Sequence, residues 1–266
     1  MKLIILCLIL FFTLEANNKE LESYKMKCDN NKYDSCYNLA LLYENGKGVN
    51  QDLYKAIALY KKGCNGESYD SCYNLGLLYS KGLGVRQDNQ KASELYLKAC
   101  NANGYRACHN AAYLFSKGDG VKQDYSKAIK LYTKSCNGGL AQSCMNLGVL
   151  YKNGQGTKQN YVKAKILYDK ACSSGVSVAC YNLGLLYSKG LGTSKDYVKA
   201  NNLYKIACDK GINSSCVNLA ISYHYGRGIS EDKSKAMNLY NKACQKGHKK
   251  ACKYYKLLSD EASKSR

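Results

Sequence analysis

Two cysteines recur along this chain with a fixed period, which limits the folds open to it. The first cysteine of each pair returns every 36 residues, and the second follows eight residues later. A period of roughly 20 to 50 residues is typical of solenoids and propellers, in which each repeat packs against its neighbours. The seven pairs are Cys28 and Cys36, Cys64 and Cys72, Cys100 and Cys108, Cys136 and Cys144, Cys172 and Cys180, Cys208 and Cys216, and Cys244 and Cys252.

The residues between the pairs predict two antiparallel helices per repeat. The first carries an asparagine, an apolar residue, a small residue and then an aromatic one, as in Asn74 to Tyr79, and it stops at Gly-x-Gly. Such spacing marks one face of a helix, and glycine is the usual residue just past a helix end. The second helix begins at an Asp or Asn cap such as Asp88 and ends at the next cysteine. With no proline in the chain, we predict an all-α solenoid, an α-α superhelix.

The cysteine pairs are interpreted as one disulfide per repeat junction. Each pair flanks the turn between two helix ends, where cysteine Cα atoms can come within bonding distance. Zinc sites use closer cysteine pairs or add histidine, and the three histidines lie in different repeats. A thioredoxin-like redox site would need Cys-x-x-Cys. We therefore expect no metal and no cofactor.

The N-terminus and the charge suggest export. Residues 1–16 read as a signal peptide, with Lys2 before an apolar run that is short for a membrane span. The alternative is an uncleaved anchor. Cleavage would remove Cys7 and leave an even number of cysteines, as expected of a secreted or periplasmic protein. The net charge of +20 fits either anionic partners or simple solubility.

The same motifs divide the chain. The mature protein is expected to be a single solenoid over residues 17–258, without a membrane span and as a monomer. It comprises a half-repeat at 19–28, six full repeats from about 36 to 244, and a terminal half-repeat at 249–258. Residues 259–266 are interpreted as a polar, frayed tail.

The repeat resembles a known family. The stretch Cys72-Tyr-Asn-Leu-Gly-Leu-Leu-Tyr-Ser-Lys-Gly-Leu-Gly-Val, with Asp88, Lys91-Ala92 and Tyr96 after it, is similar to a Sel1-like repeat, a relative of the tetratricopeptide repeat. The eight-residue cysteine spacing resembles the Helicobacter cysteine-rich proteins. The resemblance implies a right-handed superhelix with a groove lined by first helices, secretion, and interaction with host proteins or cell-wall components. It also implies penicillin binding and slow β-lactam hydrolysis.

The sequence offers no familiar catalytic site for that hydrolysis. The only Ser-x-x-Lys runs from Ser230 to Lys233, in a turn before a second helix, and the Ser-Asp-Asn and Lys-Thr-Gly partners of serine β-lactamases are absent. Clustered zinc ligands are absent too. The catalytic residues, if there are any, stay unassigned. The alternative function is a non-catalytic scaffold that binds peptides or peptidoglycan fragments.

Two rows of residues are candidates for the groove. One asparagine recurs at the same helical phase, and its amide suits a peptide backbone or a glycan. The other interpretation is that it bonds a neighbouring helix. Seven residues on, lysines are candidates to hold carboxylates of a peptide tail or a β-lactam, or else they are solvated helix ends. The candidate residues are Asn74, Asn110, Asn146, Asn182, Lys81, Lys117 and Lys189.

Two further rows of residues, one of tyrosines and one of lysines, are expected to have structural roles only. The tyrosines that recur in both helices, such as Tyr43 and Tyr60, are expected to pack between helices. The lysine row that contains Lys91 belongs to second helices and is expected to face outward. No nucleic-acid-binding module is present, so nucleic acid is not an expected partner.

Overall fold

The computed structural model describes residues 19–264, and within that range the chain forms fourteen helices and no strand. The signal peptide predicted for residues 1–16 lies outside the described residues. Helix α1 covers residues 19–29. The others are α2 (Tyr33–Asn45), α3 (Leu53–Asn65), α4 (Tyr69–Lys81), α5 (Asn89–Asn101), α6 (Tyr105–Lys117), α7 (Tyr125–Asn137), α8 (Ala141–Asn153), α9 (Tyr161–Ser173), α10 (Ser177–Lys189), α11 (Tyr197–Asp209), α12 (Asn213–Tyr225), α13 (Lys233–Gln245) and α14 (Lys249–Lys264).

The helices form two compact units, one ending at Gly138 and the other starting at Gly139. In the first unit, each helix from α2 to α7 packs against the next, and α2 also contacts α4. In the second unit, each helix from α8 to α14 packs against the next. The first helix of each repeat is therefore one of α2, α4, α6, α8, α10 and α12, and the second helix is the one that follows it. The predicted all-α repeat fold is confirmed.

Each helix begins or ends at a particular residue that recurs in every repeat. Each second helix begins at a side-chain cap, as where Asp88 accepts a hydrogen bond from the backbone N–H of Lys91 at 2.9 Å. Each first helix ends at a glycine in the left-handed region, such as Gly82 with φ +68°. The next glycine of the Gly-x-Gly motif allows repeats to stack, because a Cβ on Gly84 would lie 2.8 Å from the Cβ of Leu53 in the preceding repeat.

The core of each repeat is a tyrosine packed on a small residue. The ring of Tyr96 lies against Gly76, where an added Cβ would be 2.7 Å from its Cε1 atom. Tyr168 packs on Gly148 and Tyr204 on Gly184 with the same spacing. The buried rings explain why the sequence keeps a small residue at this position. They also agree with the packing role expected of these tyrosines.

Disulfides join the second helix of one repeat to the first helix of the next. Six pairs are bonded with Cα atoms 4.6–4.7 Å apart, from Cys28–Cys36 to Cys244–Cys252. Cys136 and Cys144 are disulfide-bonded cysteines as well. These bonded pairs agree with the prediction of one disulfide at each repeat junction.

The C-terminal segment differs from the expectation. The polar tail predicted from residue 259 is helical up to Lys264, as part of α14. Leu258 is buried, and the Lys233 ammonium lies 3.5 Å from the Glu261 carboxylate. No glycine or proline follows residue 247 to stop the helix. The polar composition of the tail is not by itself enough to end α14.

Candidate functional site

The candidate site is the face of the first helices that carries the asparagine row and the lysines at the helix ends. We call it the first-helix face and describe it separately in each unit. The first unit contributes Asn74, Asn110, Lys81 and Lys117, and the second unit contributes Asn146, Asn182 and Lys189. The asparagines are half-buried and the lysines are exposed.

Buried tyrosines orient two of these asparagines, Asn74 and Asn110. The Asn74 side-chain N–H donates to the Tyr60 hydroxyl at 3.3 Å, and that hydroxyl donates to the Glu44 carboxylate. Because Tyr60 belongs to the preceding repeat, the bond links neighbouring repeats. The Asn74 amide also bonds with Tyr37, so its oxygen is the atom that stays available to a ligand. The two interpretations of the asparagine row are therefore compatible at this position.

The same arrangement recurs elsewhere. Tyr96 bonds with Ser80 and Asn110, and its burial raises its pKa to about 12. In the second unit, the Tyr204 hydroxyl lies 2.9 Å from the Ser188 hydroxyl and also bonds with Asn218. Burial raises the pKa of Tyr204 as well, so both hydroxyls stay protonated and can donate at neutral pH. Sequence reasoning missed the serines because their partner lies sixteen residues away.

The lysines at the ends of the first helices are unpaired. Lys81, Lys117 and Lys189 stand in the last helical turn. Among the described residues none of them forms an ion pair, although the Lys117 ammonium lies 5.9 Å from the Tyr113 ring centroid. Their charges suit the negative end of the helix dipole, and they are free to meet an anion.

Charged residues at the opposite ends of the first helices were not predicted as part of the site. In the first unit, Asp34, Asp70 and Arg106 occupy equivalent positions in α2, α4 and α6. Burial raises the pKa of Asp70, and Asp34 raises it further, whereas Arg106 and a hydrogen bond from Tyr69 act in the opposite direction. In the first unit this end of the first helices therefore carries carboxylates on α2 and α4 and the Arg106 guanidinium on α6, whereas Lys81 and Lys117 make the other end basic.

The lysine row of the second helices has a structural role. In every full repeat its ammonium lies over the aromatic ring at the end of the first helix, at 3.9–5.5 Å from the centroid. Contacts of this kind are cation–π interactions. The pairs are Lys55 and Tyr43, Lys91 and Tyr79, Lys127 and Phe115, Lys163 and Tyr151, Lys199 and Tyr187, and Lys235 and Tyr223.

The Ser-x-x-Lys segment does not form the serine–lysine contact that a serine β-lactamase would need. Ser230 is exposed in the turn before α13, and the Lys233 ammonium pairs with Glu261 instead of with Ser230. Over residues 19–264, no cluster of three metal-ligating side chains is found. No helix in the described part of the chain is long and apolar enough to cross a membrane.

Comparison with known proteins agrees with this fold. The Sel1 repeat family model matches six times, at residues 34–68, 70–104, 106–140, 141–176, 177–212 and 213–248. These matches cover most of the chain, which therefore belongs to the Sel1 repeat family. A search of curated proteins finds no significant match.

Solved structures extend the comparison. A protective antigen of uropathogenic Escherichia coli with an SLR fold is 26% identical with a TM-score of 0.85, covering 91% of this chain and 52% of its own. The chain thus spans about half the length of that protein. A Sel1 repeat protein from Oxalobacter formigenes is 30% identical with a TM-score of 0.66, covering 73% of this chain and 82% of its own. Helicobacter pylori cysteine rich protein B is 27% identical with a TM-score of 0.41, covering 49% of this chain and 94% of its own.

Proposed function

We propose that this protein is an exported, non-catalytic scaffold whose first-helix face binds an extended peptide or a peptidoglycan fragment. The observation that carries the proposal is the row of half-buried asparagines, several of them oriented by buried tyrosine hydroxyls, beside exposed unpaired lysines. An amide whose N–H groups bond to tyrosine hydroxyls keeps its oxygen as an acceptor for the N–H groups of a peptide backbone. Sel1-like and tetratricopeptide-like repeat proteins generally bind protein partners.

Export is supported by the disulfides. Bonds between cysteines persist in oxidising compartments, and they are rare in the cytosol. The chain bonds one cysteine pair after another at its repeat junctions. A secreted or periplasmic location follows as part of the proposal, and host proteins are then accessible partners.

The test of binding separates the asparagine amide from the hydrogen bond that orients it. Asn110→Ala removes the amide and its bond to Tyr96, whereas Tyr96→Phe keeps the amide and removes the tyrosine hydroxyl with its bonds to Asn110 and Ser80. We expect Asn110→Ala to weaken the binding of extended peptides or muropeptides in calorimetric titrations by about tenfold, the value of a hydrogen bond of about 1.4 kcal/mol. Tyr96→Phe should retain most of the affinity. Equal losses in the two variants would show that the asparagine acts only through the fold.

The β-lactam hydrolysis implied by the family resemblance finds no support in the described residues. It is tested by following turnover of a chromogenic β-lactam across the final chromatographic peak of the oxidised protein, with and without a chelator. Turnover that separates from the protein peak would agree with a binding scaffold. Turnover that coincides with the peak would contradict the non-catalytic proposal and call for a search for a covalent adduct.

A further inference from the structure

A pocket of about 600 Å³ opens in the first unit between α5 and the loop that connects α6 to α7. Ser93, Glu94 and Leu97 line it from α5, and the opposite wall is formed by the end of α6, the loop and the start of α7. Small-molecule sites in proteins have volumes of roughly 300–1,000 Å³. Asn110 and Lys117 do not line this pocket, so it is separate from the first-helix face.

The pocket exists because two apolar residues of the preceding repeat are replaced by polar ones. In that repeat, Leu53 and Ile57 of α3 pack under the loop, where a Cβ added to Gly84 would lie 2.8 Å from the Leu53 Cβ and 3.1 Å from the Ile57 Cδ1 atom. The equivalent residues of α5, 36 positions further along the chain, are Asn89 and Ser93. Because serine is shorter than isoleucine, α5 presents less side-chain volume to its loop.

The polar replacements do not fill the space under the loop. The three atoms nearest to a Cβ added at Gly120 all belong to Asn89, and none belongs to Ser93. The Ser93 hydroxyl donates to a backbone carbonyl of its own helix at 2.7 Å. In the second unit a longer residue at the equivalent position, Asn201, contacts its loop by donating to the Arg227 carbonyl at 2.8 Å. The inner end of the pocket is therefore the volume that Ser93 leaves empty.

The walls of the pocket carry charges of both signs. Glu94 stands on the α5 wall, and Lys122 and Lys127 stand on the opposite wall. Glu94 and Lys122 form no ion pair with any residue in the described part of the chain. The Lys127 ammonium lies 3.9 Å from the centroid of the buried Phe115 ring. Since Phe115 and Leu97 add apolar surface, the pocket offers an apolar base between a negative and a positive wall.

This combination selects among small molecules. Glu94 repels a ligand whose only charged group is a carboxylate, and the two lysines repel a ligand whose only charged group is an amine. A zwitterion satisfies both walls at once. We propose that the pocket binds a free α-amino acid with an apolar side chain. The ammonium group of the amino acid pairs with Glu94, and its carboxylate pairs with Lys122 and Lys127. Its side chain packs against Leu97 and Phe115.

The first test fills the pocket from its inner end. Ser93→Ile introduces the residue that two other repeats have at this position, Ile57 and Ile129, so the variant should be at least as stable as the natural protein in denaturant unfolding. The probe is free phenylalanine, titrated into the oxidised full chain and followed by the amide NMR signals of Gly118 and Gly120, which line the pocket. We expect these signals to shift in the natural protein, and Ser93→Ile to weaken the affinity at least tenfold.

The second test removes one charge at a time. Glu94→Gln should weaken the binding of phenylalanine about three- to fivefold, as for the loss of an exposed ion pair, and should leave the weaker binding of N-acetylphenylalanine unchanged because that ligand has no ammonium group. Lys122→Gln should weaken phenylalanine to a similar extent and leave phenylalaninamide unchanged, since the amide has no carboxylate. Lys130→Gln and Asp169→Asn remove exposed charges outside the pocket and should not change the affinity.

Three results would overturn the proposal. The site is wrong if phenylalanine and leucine fail to bind at millimolar concentrations, or if Ser93→Ile binds phenylalanine as well as the natural protein does. The choice of an amino acid is wrong if the natural protein binds phenylalanine, N-acetylphenylalanine and phenylalaninamide equally well, because the charged walls would then contribute nothing. None of these results bears on the first-helix face, since the pocket contains none of its candidate residues.

Discussion

The turn that leads from each second helix into the next first helix depends on one residue with positive φ. Glycine fills that position in four turns, at Gly139, Gly175, Gly211 and Gly247, with φ of +82° to +92°. Asn31, Glu67 and Asn103 fill it in the others, and Glu67 has φ +69°. Asparagine tolerates this conformation, whereas a longer side chain pays about 1–2 kcal/mol for it. Glu67 is therefore a site of local backbone strain.

Replacing Glu67 by glycine should stabilise the protein. The relief of the left-handed conformation exceeds the added entropy of glycine in the unfolded chain, so we expect a gain of about 0.5 kcal/mol in the free energy of unfolding. The reverse change, Gly175→Glu, should lose about 1 kcal/mol, and a Cβ there has open space around it, so that only φ matters. Denaturant unfolding measures both. A loss of stability in Glu67→Gly would contradict this account.

A half-buried histidine should make stability depend on pH. Burial lowers the pKa of His109, whose ring lies 5.5 Å from that of Tyr132. The unfolded state then binds a proton more readily than the folded state, so stability falls as the pH drops below about 6.5 towards the lowered folded value. His109→Tyr, which introduces the residue of three other repeats, should remove this part of the pH dependence. Unfolding free energies between mildly acidic and neutral pH provide the measurement, and parallel curves for both proteins would refute it.

At the scale of the helix pair, the sequence was most informative where one residue decides one local structure. Asp88 caps its helix and Gly82 ends one because the backbone groups that they serve lie within three or four residues. The partners of Tyr60 could not be read in the same way, since they are the side chains of Glu44, sixteen residues before it, and Asn74, fourteen residues after it. The sequence shows a lysine at position 152 where three other repeats have serine, but only the structure shows that the Tyr168 hydroxyl is left without a hydrogen-bond partner among the described residues.

The contact of each second-helix lysine with an aromatic ring should stabilise the helix pair. The Lys127 ammonium lies 3.9 Å from the Phe115 ring centroid, the shortest such distance in the described chain. We expect Lys127→Gln to lower the free energy of unfolding by about 0.5–1 kcal/mol. Lys130→Gln removes the same charge from the exposed side of the same helix and serves as the control. Equal effects in both variants would show that the ring contact contributes nothing measurable.

At the scale of the whole molecule, stability is a sum over repeats and the junctions between them. Each repeat is a pair of helices of 13 residues, which is short for independent stability in water. The net charge of +20 adds repulsion among like charges in the folded state. The disulfides counter both effects, because each restricts the unfolded chain at a junction where one repeat must stay in contact with the next.

Removing the disulfides should therefore lower stability one junction at a time. The double change Cys172→Ala and Cys180→Ala should cost about 2–3 kcal/mol, the chain-entropy value for a ring of this size. Complete reduction of the chain should lower the melting temperature much further, since every stapled junction loses its constraint at once. Thermal melts followed by circular dichroism, with and without strong reductant, measure both effects. An unchanged melting curve after full reduction would mean that helix packing alone holds the junctions, and the cysteines would need another explanation.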